Sequence, residues 1–463
     1  MGLVIDVDSN SKDENTQTLS RSLSKLDALA LAFGAMIGWG WVVMAGVWLT
    51  EGGTAGAMLA FVLVGFAVLI IAFIYAELAA AMPKVGGEHV YSLRALGRKG
   101  SFFCTWSICF VYIAVCAFEA VALGTVIEYL LPTFKYVYLW TVAGYDIYLS
   151  WLLVGVLGSL VVTVINVVGV KMSALFQITM TTVIVLAGIM LVSGTLFSGS
   201  THNLQPLFAS GTSGILSVVA LVVFYFVGFD VIPQAAEEID LPPKRMAQML
   251  VAAVMCGVVW YLVILTAISY LMDANALMMS SLPAADASRV AWGAAGAKLL
   301  ILGGLAGIIT SWNGFLVGGS RALFAMANSG MLPRGLAFIH PRYHTPYRAV
   351  ILIGIIAAVA PFFGRQVLLW ITNAAGFGAI IAYALVAISF LVLRKREPEM
   401  NRPFKLPFGI FFGWLGLLIT LLLGLAYMPG SPGALAWPYE WLILGLWYFL
   451  GIVIICFSPV KYG

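Results

Sequence analysis

The sequence predicts an all-α polytopic membrane protein of about twelve transmembrane helices, arranged as two five-helix units of opposite orientation followed by two further helices. Three observations carry this expectation. The 463 residues are 62% hydrophobic and only 10% charged, with a mean hydropathy of +1.02, which excludes a water-soluble fold. Apolar runs of about twenty residues, long enough to cross a bilayer as helices, recur from residue 27 to the C-terminus. The first and sixth of these runs carry Gly or Pro where a continuous helix would place Leu or Ile.

The runs lie near 27–49, 55–81, 101–131, 149–169, 173–197, 214–236, 248–272, 294–327, 347–363, 366–393, 406–428 and 438–458. They lack the strict alternation of barrel strands. Residues 1–24 are polar, acidic and rich in Ser and Thr, with no apolar core behind a basic stretch. They read as a disordered cytoplasmic tail and not as a signal peptide. With the N-terminus inside, only Lys135, Arg289, Lys298 and Arg365 of the 24 Lys and Arg fall outside. This asymmetry places both termini of the multi-pass protein on the cytoplasmic side of the cytoplasmic membrane. The net charge of +4 follows from that topology, so the bilayer is the implied partner and nucleic acid is not.

The first run contains Gly34-Ala-Met36-Ile37-Gly38-Trp39-Gly40-Trp41. Two readings stand: a glycine face for helix packing, since 34 and 38 have GxxxG spacing, or a break in the helix at membrane depth. In the second run Glu77 lies near the inner surface, and the following Gly- and Pro-punctuated stretch to Tyr91 reads as a cytoplasmic loop. The third run holds Glu119 well inside apolar sequence, where an acid must face protein or water. A structural, hydrogen-bonded carboxyl and a functional one are both compatible with it.

The sixth run reads Tyr225-Phe226-Val-Gly228-Phe229-Asp230-Val-Ile-Pro233. Pro233 lacks an N–H and crowds the carbonyl of Phe229, Gly228 loosens the same turn, and Asp230 adds a charge. This second break decides between the two readings of the first. Each break opens a five-run unit, 25–197 and 214–393, and because five is odd the second unit enters from the opposite side. Residues 406–458 hold the last two runs, which read as scaffold. Interrupted helices paired at the midplane imply a small-solute site between them and transport by alternating access. Run eight carries Gly303, Gly307, Ser311, Gly314 and Gly318 along one face.

Glu119 and Asp230 have no interior Lys or Arg to balance them, so each is protonated or meets a cationic solute, and both are coupling candidates. Trp39 and Trp41 could add cation–π attraction to an amine, against the alternative of bulky packing. A sodium site would use carbonyls near Gly34 with Thr310 and Ser311. The five cysteines all fall in apolar runs without a CxxC, and read as packing residues. His340 and His344 read as a loop pair because Pro341 and Pro346 exclude a helix, so no metal site is expected.

Several segments together resemble the amino acid-polyamine-organocation transporter superfamily, which has a LeuT-type fold. They are Gly38-Trp39-Gly40, Ala76-Glu77-Leu78, Pro83-Lys84-Val85-Gly86-Gly87-Glu88-His89-Val90-Tyr91, Gly228-Phe229-Asp230, Ala236-Glu237-Glu238, and the stretch from Ser320-Arg321 through Pro333 to His340-Pro341 and Thr345-Pro346. The resemblance implies that the amides of Gly38, Trp39 and Gly40 bind a substrate carboxylate, that carbonyls of helices one and six bind its amino group, and that Tyr225 and Phe226 form a gate or wall. Two departures accompany it. Trp39 stands where a small Ser or Thr is common, and no lysine occurs near Ile184 and Val185, where many members carry one in place of sodium.

The expected function is a secondary transporter of a small amino acid or related amine. Its substrate site is drawn from Met36, Ile37, Gly38, Trp39, Gly40, Trp41, Tyr225, Phe226, Gly228, Phe229 and Asp230. A polyamine, simple amine or other organocation is the alternative substrate. No GxxxxGK[ST] occurs, so no cofactor or nucleotide is expected, and a proton, sodium or exchange supplies the coupling. A channel would show a filter motif or charge rings, and an intramembrane hydrolase would show HExxH or a nucleophile with its base. The sequence shows neither, and an enzyme is not expected.

Overall fold

The computed structural model describes residues 19–131 and 133–457, so most of the predicted N-terminal tail lies outside the described residues. The first predicted span is divided into α1 (Lys25–Met36), α2 (Gly40–Val43) and α3 (Ala45–Gly52). Ser24 starts α1 in a capping box: its backbone N–H donates to Asp27 Oδ2 at 2.8 Å while its Oγ accepts from the Asp27 N–H. Residues 19–24 are not a loose end of the tail. Leu23 is buried and forms a parallel bridge with Ile239, because the carbonyl of Glu238 accepts from the amides of Ser22 and Leu23 at 2.8 Å each.

Next come α4 (Thr54–Ala81) and α5 (Glu88–Leu130), then α6 (Leu149–Val168) and α7 (Val170–Ser198). Between α5 and α6 the all-α expectation fails locally. Strands β1 (Tyr138–Val142) and β2 (Tyr145–Tyr148) pair antiparallel, turning at Ala143 and Gly144, both with positive φ as a tight hairpin requires. The sixth predicted span is α8 (Gly211–Val222), a 3₁₀ turn at Val223–Phe226, four non-helical residues and α9 (Val231–Gln234). The chain continues through α10 (Pro243–Leu271), α11 (Ala274–Met279), α12 (Pro283–Asn328), α13 (Tyr347–Val359), α14 (Gly364–Arg396), α15 (Gly409–Leu425) and α16 (Tyr439–Phe457).

Among the described residues, 9 stretches are long and apolar enough to cross a membrane, against the twelve predicted. The difference has identifiable causes. Breaks shorten α1 to α3, α13 and α14 form one continuous stretch, and α15 has only 17 residues.

The centre of the molecule is α12, whose apolar part is 83% buried. Its glycines seat the first broken helix. A methyl group on Gly314 would lie 2.8 Å from Ala35 Cβ, and one on Gly307 would lie 2.7 Å from the carbonyl oxygen of Gly38. Within the small-residue face read from the sequence, Gly307 and Gly314 are thus the bed of α1 and its break, whereas Gly303 packs on Ala187 and Gly318 on Tyr112 and Val231.

Polar anchors hold the periphery. Glu77 is not at a wet surface: it is fully buried, bonded to Arg394 Nη2 and to the Leu406 amide, and 3.0 Å from Arg402 Nε. Trp106 and Trp447 stack at 4.4 Å and each indole N–H donates to the other's carbonyl, which ties α16 to α5. Cys104, Cys109 and Cys116 are packed inside, whereas Cys256 and Cys456 are exposed on the apolar helices α10 and α16. His340 and His344 lie in a loop, as expected, where His340 Nδ1 accepts from the amide of Arg342 at 3.2 Å.

Candidate functional site

The two interruptions meet. Helical geometry is lost at Ile37 (φ −98°, ψ 73°) and resumes at Gly40, with Trp39 as an N-cap whose side chain makes no cap bond. On the other side, Val227 is extended and Gly228 has φ +129°. A methyl group on Gly228 would lie 3.0 Å from the backbone of Ala35 and Met36, so only glycine permits this approach. The freed carbonyl of Met36 accepts from Tyr261 Oη at 3.2 Å, as a broken helix in lipid requires.

A cavity of about 360 Å³ lies at this junction. Its floor includes Met36, Gly38, Trp39 and Gly40, and Tyr225 is one wall: a methyl on Gly40 would overlap the Tyr225 ring. Glu119 and Ser311 close the far side, with Glu119 Oε1 only 3.1 Å from where a Gly38 methyl would stand. Glu119 is 4% exposed and its Oε2 has no hydrogen-bond partner. The cavity rises past Phe224 and Asn373 to Arg365 and Gly433, the side the charge pattern assigns to the exterior.

Seven of the residues singled out in the sequence thus share one chamber: Met36, Gly38, Trp39, Gly40, Tyr225, Glu119 and Ser311. Others do not reach it. Trp41 is fully buried and meets Trp260 edge to face at 5.4 Å; Phe226 packs on Phe61 and Tyr261. Phe229 packs between Tyr75 and Tyr383, and Ile37 is enclosed in the core. Gly228 forms the contact between the breaks without lining the space. Asp230 turns away because both its oxygens are used: Oδ1 accepts from the Gly228 amide at 2.9 Å and Oδ2 from Tyr112 Oη. Its carboxyl therefore holds the amide freed at Gly228 within the second break.

Gln177 lies beside the residues of the sodium alternative. Gln177 Nε2 donates at 3.2 Å to the carbonyls of both Ala30 and Thr310, and lies over Gly34, where a methyl would be 2.3 Å from it. Thr310 Oγ1 donates back to Gly307. Gln177 is itself fixed by Asn313, which donates to its Oε1 at 2.8 Å. The amide thus bridges α1 and α12.

Sequence reasoning passed over Phe118, Phe315, Asn373 and Glu440, all of which line the cavity. Asn373 donates to Glu440 at 2.8 Å, so the segment read as scaffold contributes to the rim. The available signal was an acid at the start of an otherwise apolar run.

The comparisons with known proteins agree with this architecture. The family model described as "Amino acid permease" matches residues 27–458. The methylthioribose transporter of Bacillus subtilis is 28% identical, over 96% of this chain and 94% of its own length. The branched-chain amino acid permease BcaP of the same organism is 26% identical over 88% of each chain. The vacuolar cationic amino acid transporter 4 of Arabidopsis thaliana is 27% identical over 84% of this chain and 66% of its own. With broken helices meeting at a buried cavity and a family match running through nearly every described helix, the chain is a multi-pass membrane protein that belongs to the amino acid permease family.

Proposed function

We propose that this protein is a secondary transporter that moves a small amino acid or related amine across the cytoplasmic membrane by alternating access. The observation that carries the reading is the chamber bounded by Gly38–Gly40 and Tyr225, where two interrupted helices touch through Gly228. The names of two relatives, a branched-chain amino acid permease and a cationic amino acid transporter, support this class of solute, whereas methylthioribose, a thio-sugar without an amino group, lies outside it.

The reading includes twelve spans in two inverted units, 25–197 and 214–393, with 406–458 added and both termini cytoplasmic. It is supported by a repeated shape. In α5 a short arm turns at Gly97 (φ 69°, ψ −173°) before the long helix, and in α12 another turns at Gly293 (φ 65°, ψ −162°). These helices hold corresponding places, third and eighth, and the broken helices are first and sixth.

Glu119 sets the polarity of the site. Its Oε1 stands beside Gly38 and its Oε2 has no partner, and a buried carboxylate so placed attracts an ammonium group. The same placement fits a simple amine or polyamine, which carries no carboxylate to oppose it. The test is uptake of labelled amino acids, diamines and polyamines into proteoliposomes against a concentration gradient. Accumulation of at least one such solute is expected, and failure with all of them removes the reading. Glu119→Gln is expected to weaken binding of the accepted amine by about 1.5–3 kcal/mol, roughly ten- to hundredfold, measured as a shift in Kd. Replacing sodium by choline in the uptake buffer separates sodium coupling through Gly34, Thr310 and Ser311 from proton coupling or exchange: a fall in rate supports sodium, and an unchanged rate removes it.

A further inference from the structure

We propose that Gly304 of α12 is a specificity-determining residue of the chamber: the space left by its missing side chain seats the Trp39 indole, and the seated ring sets how bulky an apolar group the chamber accepts. The proposal rests on the transporter reading above and narrows its solute class.

Three glycines within two turns of α12 have different occupants. A methyl on Gly307 would lie 2.7 Å from the carbonyl oxygen of Gly38, and one on Gly303 would overlap Ala187 of α7. Both positions therefore serve the close approach of helices. A methyl on Gly304 would instead overlap Trp39 Cζ3, and would lie 2.7 Å from Trp39 Cε3 and 3.0 Å from Val42 Cγ2. The place of a side chain at 304 is thus taken by a ring that itself lines the cavity, from a residue standing in the gap between α1 and α2.

Carbon atoms in contact stand about 3.5–4.0 Å apart, so a methyl at 304 would drive the ring back by roughly 1 Å or more. Its retreat is constrained. Val42 is fully buried at the same point of α12, and Trp41 is fully buried against Trp260. The open space that the ring borders is the cavity. A larger group at 304 therefore narrows the chamber, and a smaller group at 39 widens it. At about 360 Å³ the chamber is near the lower end of the range of ligand sites, roughly 300–1,000 Å³, so a change of this size alters what fits.

The rest of the lining indicates the chemistry of the group so measured. Val43, Val115, Phe118, Phe224 and Phe315 present apolar surface. Of the two acids among the described lining residues, Glu440 accepts from Asn373 Nδ2 at 2.8 Å and from the Ala436 amide at 2.7 Å. Glu119, with its unpartnered Oε2, is left to meet a cationic nitrogen. The chamber accordingly suits a solute with a cationic nitrogen and a compact apolar side group.

The test measures Kd of the purified full-length protein for alanine, leucine and phenylalanine, and for ethylamine, 3-methylbutylamine and 2-phenylethylamine, which lack the carboxylate. Gly304→Ala is expected to raise the Kd of the phenyl member relative to the smallest member by at least about tenfold, the usual consequence of overpacking. Trp39→Ser is expected to lower that ratio below the parent's. Gly304→Ala placed in the Trp39→Ser protein should leave the ratio unmoved, because the ring that transmits the effect is gone. A merely structural role would weaken all members together. If Gly304→Ala does not fold, Trp39→Phe and Trp39→Ser carry the test, with the ratio falling in that order. A second readout needs no solute: in protein labelled with 5-fluorotryptophan, the fluorine resonance that Trp39→Phe removes should be displaced by Gly304→Ala. Binding by Gly304→Ala in the parent's proportions, an unmoved Trp39 resonance, or the same tenfold change in a protein without Trp39 overturns the proposal alone. An unaltered protein that binds no member of either series overturns the transporter reading, and with it the specificity assigned to Gly304.

Discussion

Arg321→Ala is expected to destabilise the folded protein by about 3–5 kcal/mol, the usual consequence of leaving one member of a buried ion pair alone. Arg321 is 1% exposed and Glu238 is fully buried. The guanidinium binds both carboxylate oxygens, Nε to Oε1 at 2.6 Å and Nη2 to Oε2 at 2.9 Å, and Nη1 donates to Ser320 Oγ. Removing it strands a carboxylate at the end of the second broken helix, next to the carbonyl that holds Ser22 and Leu23. A fall in the thermal unfolding midpoint in detergent and reduced accumulation in membranes are the measurements. Arg321→Met with Glu238→Leu should recover most of the loss, because exchanging both partners removes the stranded charge. If the single variant is as stable as the parent, the buried pair does not contribute to holding α12 against Glu238.

Gly228→Ala is expected to abolish transport while leaving a foldable protein. The residue has φ +129°, outside the range an L side chain adopts readily, and its missing methyl would lie 3.0 Å from Ala35 and Met36. Backbone strain of about 1–3 kcal/mol adds to an overpacking cost of similar size, and the atoms to be displaced are main chain that cannot rotate aside. Substrate affinity should fall at least about tenfold, and size-exclusion behaviour should remain that of the parent. Normal uptake by this variant would show that the breaks need not touch.

The sequence made the positions of both interruptions legible, because Gly38, Gly40, Gly228 and Pro233 violate helix chemistry whatever surrounds them. It was less informative about direction. Beyond a break the 3.6-residue period is lost, so Trp41 and Phe226 could be named but not aimed, and Asp230 read as a site residue although its carboxyl is bonded to the Gly228 amide and Tyr112. The burial of Glu88 was hidden for another reason. Gly86 and Gly87 punctuate the chain as a surface loop would, yet here their small size lets the turn bury itself against Pro233 and Gln234. Gln177 carried no signal either, since an amide on an apolar helix becomes meaningful only when two carbonyls are found within its reach.

The distribution of sulfur has a practical corollary. Three thiols are sealed inside the bundle, and the other two are exposed on the apolar helices α10 and α16. Replacing the two exposed thiols, Cys256 and Cys456, leaves only buried ones to compete for a water-soluble maleimide. A single cysteine placed at Ala434, on the cavity rim, becomes a clean reporter of when that mouth is wet.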